Sequence, residues 1–379
     1  MRVGFVGSYG WPRGICYIYN MLAKVIKDKH ELFLFQRGMN STGKEFVKID
    51  NIQKNAEYNI PRIFFKSWLE ENKIDVVIFN EEQWNGIYQT DSLVDICKEL
   101  NVKTIHYVVW ERFNLNDFEY YEKFDKIICP TLCCYEKLKK FGYENVEYVR
   151  WGVDLETFKY KDKKYQEAYK DKTIFFHPGG YGGMKDRKQT DEVIEAFNRL
   201  NNDNAILIVS FQKVEKFNVS PGAYKHKDNK NIEIIVGTIE QTQMIDIYNN
   251  SDVVVLPSKW EGNGLPFTEA LATGKPVITL DAAPMNEVIK DGVNGLLAKI
   301  EKTETYDEIF TEANIVDIDS LKNKMDIAMS PVFLNVLKKN ALKTAKEIWD
   351  WNKNGEKVLK IIDELFKDDK NEQNNIKMD

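Results

Sequence analysis

Glu261 and Glu269 stand eight positions apart, on either side of a turn that carries Gly262 and Gly264. Carboxylates accept hydrogen bonds from hydroxyl groups. Between them the chain begins a helix, whose first N–H groups have no partner inside the helix and whose dipole presents its positive end. Such a start suits a phosphate. The turn thus offers an anion site at its centre and hydroxyl acceptors at both ends, and a sugar joined to a nucleotide diphosphate satisfies all three. From the turn alone, a capped helix with two solvated acids reads equally well. A second loop, HPGGYGGMKDRK from His177 to Lys188, places Lys185, Arg187 and Lys188 after four glycines. Glycines let backbone approach a ligand closely, and cations suit a diphosphate.

The elements that hold these groups follow from local pattern. Val253 to Pro257 (VVVLP) is a β-branched run and predicts a buried strand. Ser258 to Gly264 is a loop, and Leu265 to Thr273 is helical, stopped by Gly274. Pro266 sits near the first helical position, where a missing N–H costs nothing. Thr173 to His177 is a strand ahead of the glycine-rich loop, and Gln189 to Leu200 a helix after it. Ala205–Phe211, Ile232–Val236, Pro276–Leu280 and Gly295–Ala298 continue the strands. Residues 301–330 are polar and give no pattern to assign; Asp317 and Asp319 fall there. Pro331 to Ile348 predicts an amphipathic helix with Val332, Leu334, Leu337, Ala341 and Ala345 on one side.

The first half has the same rhythm. Strands at residues 2–7, 31–36, 74–80, 103–109, 125–130 and 145–150 alternate with helices, and 40–60 is loop with one short strand. Alternating strands and helices predict an α/β architecture with parallel sheets. A dinucleotide-binding oxidoreductase would want G-x-G-x-x-G after the first strand and an acid ending the second. Glycines at 4, 7, 10 and 14 miss that spacing, and the second strand ends in Gln36 and Arg37.

The E-x7-E turn, followed by ALATGKPVI (Ala270–Ile278) and EVIKDGVNGLL (Glu287–Leu297), resembles the retaining glycosyltransferases of glycosyltransferase family 4, over about fifty residues in register. The resemblance implies the GT-B fold: two Rossmann-like domains facing each other across a cleft, with a C-terminal helix crossing back to the first. It implies an acceptor domain at 1–152, completed by a helix near 350–366, and a nucleotide-sugar donor domain at 153–349. Trp151 to Phe158 (WGVDLETF) resembles the hinge between them. Residues 367–379 are charged and asparagine-rich, and predict a disordered tail.

Residue roles follow from that resemblance. Glu269 would hold the ribose hydroxyls and Glu261 the transferred sugar, with the backbone of Asn263, Gly264 and Leu265 facing the diphosphate. Lys188 matches the family lysine by its spacing to the next helix. The family arginine falls on Gly183, so Arg187 or Lys185 would stand in. Thr238 and Ile239 would meet the base. His106 matches a histidine close to the reaction centre. Gly10, Arg13 and Gly14 belong to a glycine-rich first loop, and Glu111, with Trp110, lies on the acceptor side. The implied reaction moves a sugar from a UDP- or GDP-sugar to a hydroxyl acceptor, whether glycan, lipid-linked or small molecule. It runs by front-side displacement, without a metal or other cofactor. Two other functions stay open: a nucleotide-sugar epimerase or phosphorylase of the same fold, and a binding protein without activity.

The totals set outer limits. With 379 residues the prior is two or three domains, and 43% hydrophobic content supports a sizeable core. A net charge of −6 and a pI near 5.6 argue against a nucleic-acid partner. The five cysteines match no zinc spacing and fit reduced thiols in a cytoplasmic protein. The N-terminus reads as a strand and not a signal peptide, and no apolar run approaches the roughly 20 residues a membrane span requires. Peripheral contact with the inner face of a membrane stays compatible with this composition.

Overall fold

Apolar runs buried on both faces dictate parallel strands, because helices packed above and below must cover them. This chain has two sets of such runs. The computed structural model describes residues 1–10, 14–38, 46–55, 59–80, 89–108, 118–162, 169–180, 187–211, 229–306 and 309–367. The chain divides into two compact units: Met1–Trp151 with Trp351–Asp379, and Gly152–Asp350.

In the first unit β1 (Arg2–Gly7), α1 (Gly14–Ile26), β2 (Glu31–Arg37), β3 (Asn51–Asn55), α2 (Arg62–Asn72) and β4 (Val76–Asn80) come first. They are followed by α3 (Gln89–Glu99), β5 (Lys103–Tyr107), α4 (Phe118–Glu122), β6 (Lys126–Cys129), α5 (Leu132–Lys140) and β7 (Val146–Tyr148). The sheet order is β3-β2-β1-β4-β5-β6-β7, with every pairing parallel. Order reverses between β1 and β4, where open α/β sheets form a crevice at their carboxyl edge. Tyr19 of α1 stands there. Its hydroxyl donates to the carbonyls of Val6 and of Ile78, the latter at 3.3 Å. A Cβ on Gly7 would lie 2.8 Å from its ring.

The second unit runs β8 (Thr173–Gly180), α6 (Thr190–Leu200), β9 (Ala205–Phe211), β10 (Ile232–Val236), α7 (Gln241–Asn250), β11 (Val253–Val255), α8 (Leu265–Ala272), β12 (Val277–Leu280), α9 (Met285–Val288) and β13 (Gly295–Ala298). Its parallel sheet has the order β10-β9-β8-β11-β12-β13. Phe175 and Phe176 of β8 oppose Val253 and Val254 of β11, and Val254 in turn opposes Val277 of β12. Here the order reverses between β8 and β11, so the loops after these two strands leave the carboxyl edge side by side.

The stretch that gave no pattern is ordered. β14 (Ile300–Tyr306) and β15 (Ile309–Val316) form an antiparallel hairpin. Asp317 then caps α10 (Ile318–Ala328) by accepting from the Ser320 N–H at 2.8 Å. Asp319 pairs with Arg199. α11 (Pro331–Ile348) buries Leu334, Leu337, Ala341 and Ala345 as expected, but Val332 is 79% exposed. Two positions from Leu334, it lies on the far side of the helix.

α12 (Trp351–Asn354) and α13 (Glu356–Glu364) return to the first unit. The buried Trp351 indole donates to the Met21 carbonyl at 2.7 Å, and its ring centre lies 4.2 Å from that of Trp151. Among the described residues no helix is long and apolar enough to cross a membrane.

Candidate active site

Both loops that leave the reversal point of the second sheet carry charge. Their backbones are tied, because the Lys259 N–H donates to the Arg187 carbonyl at 2.8 Å. Across that tie Glu261 gathers three donors. Lys188 Nζ and Ser258 Oγ, the latter at 2.6 Å, bond one carboxylate oxygen, and Arg187 Nη1 bonds the other at 3.1 Å. Lys188 is 7% exposed and Glu261 4%, so solvent and salt screen the pair little. Burial alone would raise the Glu261 pKa. The charges of Arg187 and Lys188, with hydrogen bonds from Lys188 and Ser258, outweigh it and hold the carboxyl down to about 2.

Glu269 behaves in the opposite way. Its carboxylate accepts from the Tyr248 hydroxyl of α7 at 3.1 Å. The residue keeps partial exposure, yet the protein packed around its carboxyl pushes it up to about 7, against the pull of Tyr248 and of the Lys188 charge. Two carboxylates eight positions apart therefore titrate in opposite directions, an arrangement that separates roles within a site. Lys188 is the charge both of them feel.

Gly264 turns the loop into α8. Its φ of +70° is left-handed, and a Cβ there would lie 2.6 Å from the Phe267 ring. Gly264→Ala is expected to destabilise the second unit by about 1–3 kcal/mol through backbone strain and crowding. Amide exchange in β8 and β11 checks this: protection there should fall, and unchanged protection would mean the ring yields freely. Beside it, Asn263 Nδ2 is buried without a partner among the described residues. Leu265 opens the helix with Pro266 behind it.

The structure thus brings Glu261, Lys188, Arg187, Asn263, Gly264, Leu265 and Glu269 into one unit at the ends of β8 and β11. Arg187, and not only Lys188, reaches the site. Thr238 is exposed and Ile239 buried just ahead of α7, whose N-cap Glu240 forms a capping box with Gln243. Gly10, with φ +85°, and Gly14, the first residue of α1, belong to the first unit. Arg13, Glu111, Gly183 and Lys185 lie outside the described residues, as do Trp110, residues 212–228 and the tail from 368.

His106 corrects an expectation. Its fully buried ring packs against Tyr120, Tyr121 and Phe124, with centres 5.7, 5.1 and 4.8 Å away. Neither ring nitrogen has a hydrogen-bond partner among the described residues. Burial pushes its pKa down to about 3, so the ring is neutral. It sits in register with Phe79 of β4 and shares that residue's core-facing side. We therefore place it in the core of the first unit and assign it no part in the site.

Four supporting residues escaped the sequence. His177, at the end region of β8, has Nδ1 2.7 Å from the Val255 carbonyl and Nε2 2.9 Å from Thr190 Oγ1, a pattern that fits a neutral ring with its proton on Nδ1. Burial pushes its pKa down to about 4. It joins the two strands of the reversal point to the start of α6. Ser258 and Tyr248 each bond one of the two acids, and Gln189 follows Lys188 directly. Ser258 and His177 had a signal, by standing in the two loops already singled out.

Parts of the chain are similar to known proteins. Residues 158–313 match the family described as glycosyl transferases group 1. A 41.2 kDa protein of uncharacterized function in the cps region of Klebsiella pneumoniae is 31% identical over 105 residues, covering 28% of this chain and 25% of that protein. The D-inositol 3-phosphate glycosyltransferase of Rhodococcus erythropolis is 38% identical over 64 residues, 17% of this chain and 14% of that one. The chain therefore matches a quarter or less of the length of these curated relatives. In overall structure it is similar to Anabaena HepE, solved in complex with UDP and glucose, with a TM-score of 0.72 at 13% identity over 96% of this chain and 100% of that one. It is similar too to the sucrose-phosphate synthase of Thermosynechococcus elongatus, with a TM-score of 0.71 at 13% identity over 96% and 99%. The fold is GT-B, and the stretch of it that matches the glycosyl transferases group 1 family is residues 158–313.

Proposed function

We propose that the protein is a retaining glycosyltransferase of family 4 type, moving a sugar from a nucleotide-diphosphate sugar to a hydroxyl acceptor. The observation that carries this reading is Glu261 held between Lys188 and Arg187 one turn ahead of α8. Two cations gathered on one carboxylate are two charges that an entering diphosphate would compete for. As they turn to the phosphates, Glu261 is freed to accept from a hydroxyl of the sugar. The start of α8, at Asn263 to Leu265, adds N–H groups for the diphosphate. Glu269, further along the same helix, takes the ribose, and the segment at Thr238 and Ile239 the base. UDP- and GDP-sugars are the donors to try first.

In this reading the acceptor, a glycan or a lipid-linked or small hydroxyl compound, binds through the first unit, with the loop of Gly10, Arg13 and Gly14 and with Glu111 on its side. The sugar is transferred by front-side displacement. The bond from the sugar's anomeric carbon to the diphosphate breaks with its electron pair going to the phosphate oxygen. The acceptor oxygen attacks on the same face, and its proton passes to the departing diphosphate. The resemblance to family 4 supports this order of events, with cations and helix dipole stabilising the charge on the leaving group in place of a metal. Five cysteine thiols, four of them buried, fit a reducing, cytoplasmic setting.

Incubation with a panel of nucleotide sugars tests the proposal. Release of nucleoside diphosphate that depends on an added hydroxyl acceptor, with the anomeric configuration kept, supports it. Isomerised donor without release would make the protein an epimerase, and no binding or turnover of any donor would reduce it to a fold without the activity.

The affinity for a nucleotide should also depend on pH through Glu269. Ribose hydroxyls donate to the carboxylate and not to the acid, so binding should weaken as pH falls through about 7. Stability runs the other way. A carboxyl raised from 4.5 to about 7 in the folded protein favours folding below pH 4.5, and that contribution is lost as pH rises through about 7. Calorimetric titration of UDP and GDP between pH 5.5 and pH 8.5 checks the first effect. Glu269→Gln should flatten the profile, and an unchanged profile would remove Glu269 from the ribose contact.

A further inference from the structure

We propose that Gln189 is a positioning residue of the donor site, holding the Glu261 loop and Lys188 in register against the β14–β15 hairpin. This rests on the donor-site reading above and adds a part that reading does not contain. Gln189 has φ +52°, a left-handed conformation that a residue with a side chain adopts only when its surroundings enforce it. It is fully buried and stands directly after Lys188. Its side chain supplies the enforcement. Nε2 donates to the Pro257 carbonyl, at the root of the Glu261 loop, and to the Asn314 carbonyl of β15 at 3.1 Å. Oε1 accepts from the Val316 N–H at 2.9 Å. One carboxamide therefore fastens three backbone groups from two separate segments.

The hairpin answers from its own side. The Asn314 N–H donates to the Lys259 carbonyl at 3.1 Å, and Thr303 Oγ1 on β14 donates to Asn314 Oδ1 at 2.8 Å. Lys259 is the same residue whose N–H holds the Arg187 carbonyl. Chain 187–189, chain 257–261 and β15 are thus stitched pairwise, and the Gln189 side chain bonds to both of the other two. The atoms Gln189 fixes are backbone, so its effect on Lys188 and Glu261 is geometric. Misplacement of such groups by about 1 Å is enough to lower a rate about 10²-fold.

Gln189→Gly tests this, because glycine adopts the left-handed backbone without strain and removes the side chain with its carboxamide. Asn201→Gly is the control: Asn201 also has positive φ, at the far end of α6, and is remote from the stitch. Calorimetry with UDP, GDP, ADP and dTDP, donor turnover by release of nucleoside diphosphate, melting temperature and amide exchange are measured on both variants and the parent. The expected result is a fall in kcat of about 10²-fold with KM changed far less, and faster exchange at the Lys259, Asn314 and Val316 amides. Asn201→Gly should leave all of these as in the parent. If Gln189→Gly keeps the parent's kcat, or loses it only in step with its melting temperature, the positioning role is overturned while the donor site stands. A parent protein that binds none of the four nucleotides overturns the donor-site reading itself, and this inference with it.

Discussion

Replacing Lys188 by methionine is expected to lower donor turnover by about 10²–10³-fold and to destabilise the second unit by about 3–5 kcal/mol. The two effects have separate causes. Turnover falls because a cation that meets the departing diphosphate is gone. Stability falls because Glu261, 4% exposed, is left as a buried charge with only Arg187 and Ser258 to satisfy it. The partial pairing with Arg187 sets the loss nearer the lower figure. A second change separates the causes. Adding Glu261→Gln removes the stranded charge, so the double variant should recover most of the stability, since a buried ion pair adds little net stabilisation over a neutral replacement. It should recover none of the turnover. Amide exchange in β8 and β11 and the rate of nucleoside diphosphate release, measured on the four proteins of this cycle, check it. Turnover that returns together with stability would make the lysine a structural cation. The depressed Glu261 pKa has its own signature: the stability it supplies above pH 4.5 should be lost as pH falls toward about 2.

Trp351→Ala should destabilise the first unit by about 3–5 kcal/mol, the usual loss for a large aromatic removed from a core. The indole is fully buried, stacks on Trp151 and donates to the Met21 carbonyl. Truncation leaves a void and strips that carbonyl of its donor. Trp351→Phe keeps most of the ring volume and should lose much less. Because the chain has two units, a single two-state analysis does not apply. Amide exchange in β1 and β4 reads the first unit, and in β8 and β11 the second. Only the first pair should lose protection, and an equal loss in both would contradict the assignment of α12 to the first unit.

How much of this was legible beforehand varies with physical cause. The strands of both sheets were legible because residues buried on both faces leave uninterrupted apolar runs, as in VVIFN and TIFF. The Glu261–Glu269 turn was legible because glycine, proline and paired acids at fixed spacing leave a local mark. The hairpin was not. IEKTETY is mostly polar and IFTEANIV mixes polar with apolar residues without strict alternation, and β15 is held by bonds from Gln189 and to Lys259, distant in sequence. His106 was misplaced for the same reason its strand was found. A strand covered on both faces has no polar alternation, so the sequence does not tell which face a residue takes. Arg187 shows the reverse case: spacing left it one of two stand-ins, and its bond to Glu261 became visible only in the fold.

The pairing of Met21 with Trp351 spans 330 residues of sequence, and this constrains how the protein is made. At a synthesis rate of about 5–20 residues per second, roughly 15–70 s separate the emergence of α1 from that of the indole it awaits. Through that interval the nascent first unit has its sheet but not its last two helices, while the second unit has every strand it needs soon after Val316. The half translated later should therefore be the half that closes first, and the earlier half is the one that depends on chaperones while it waits.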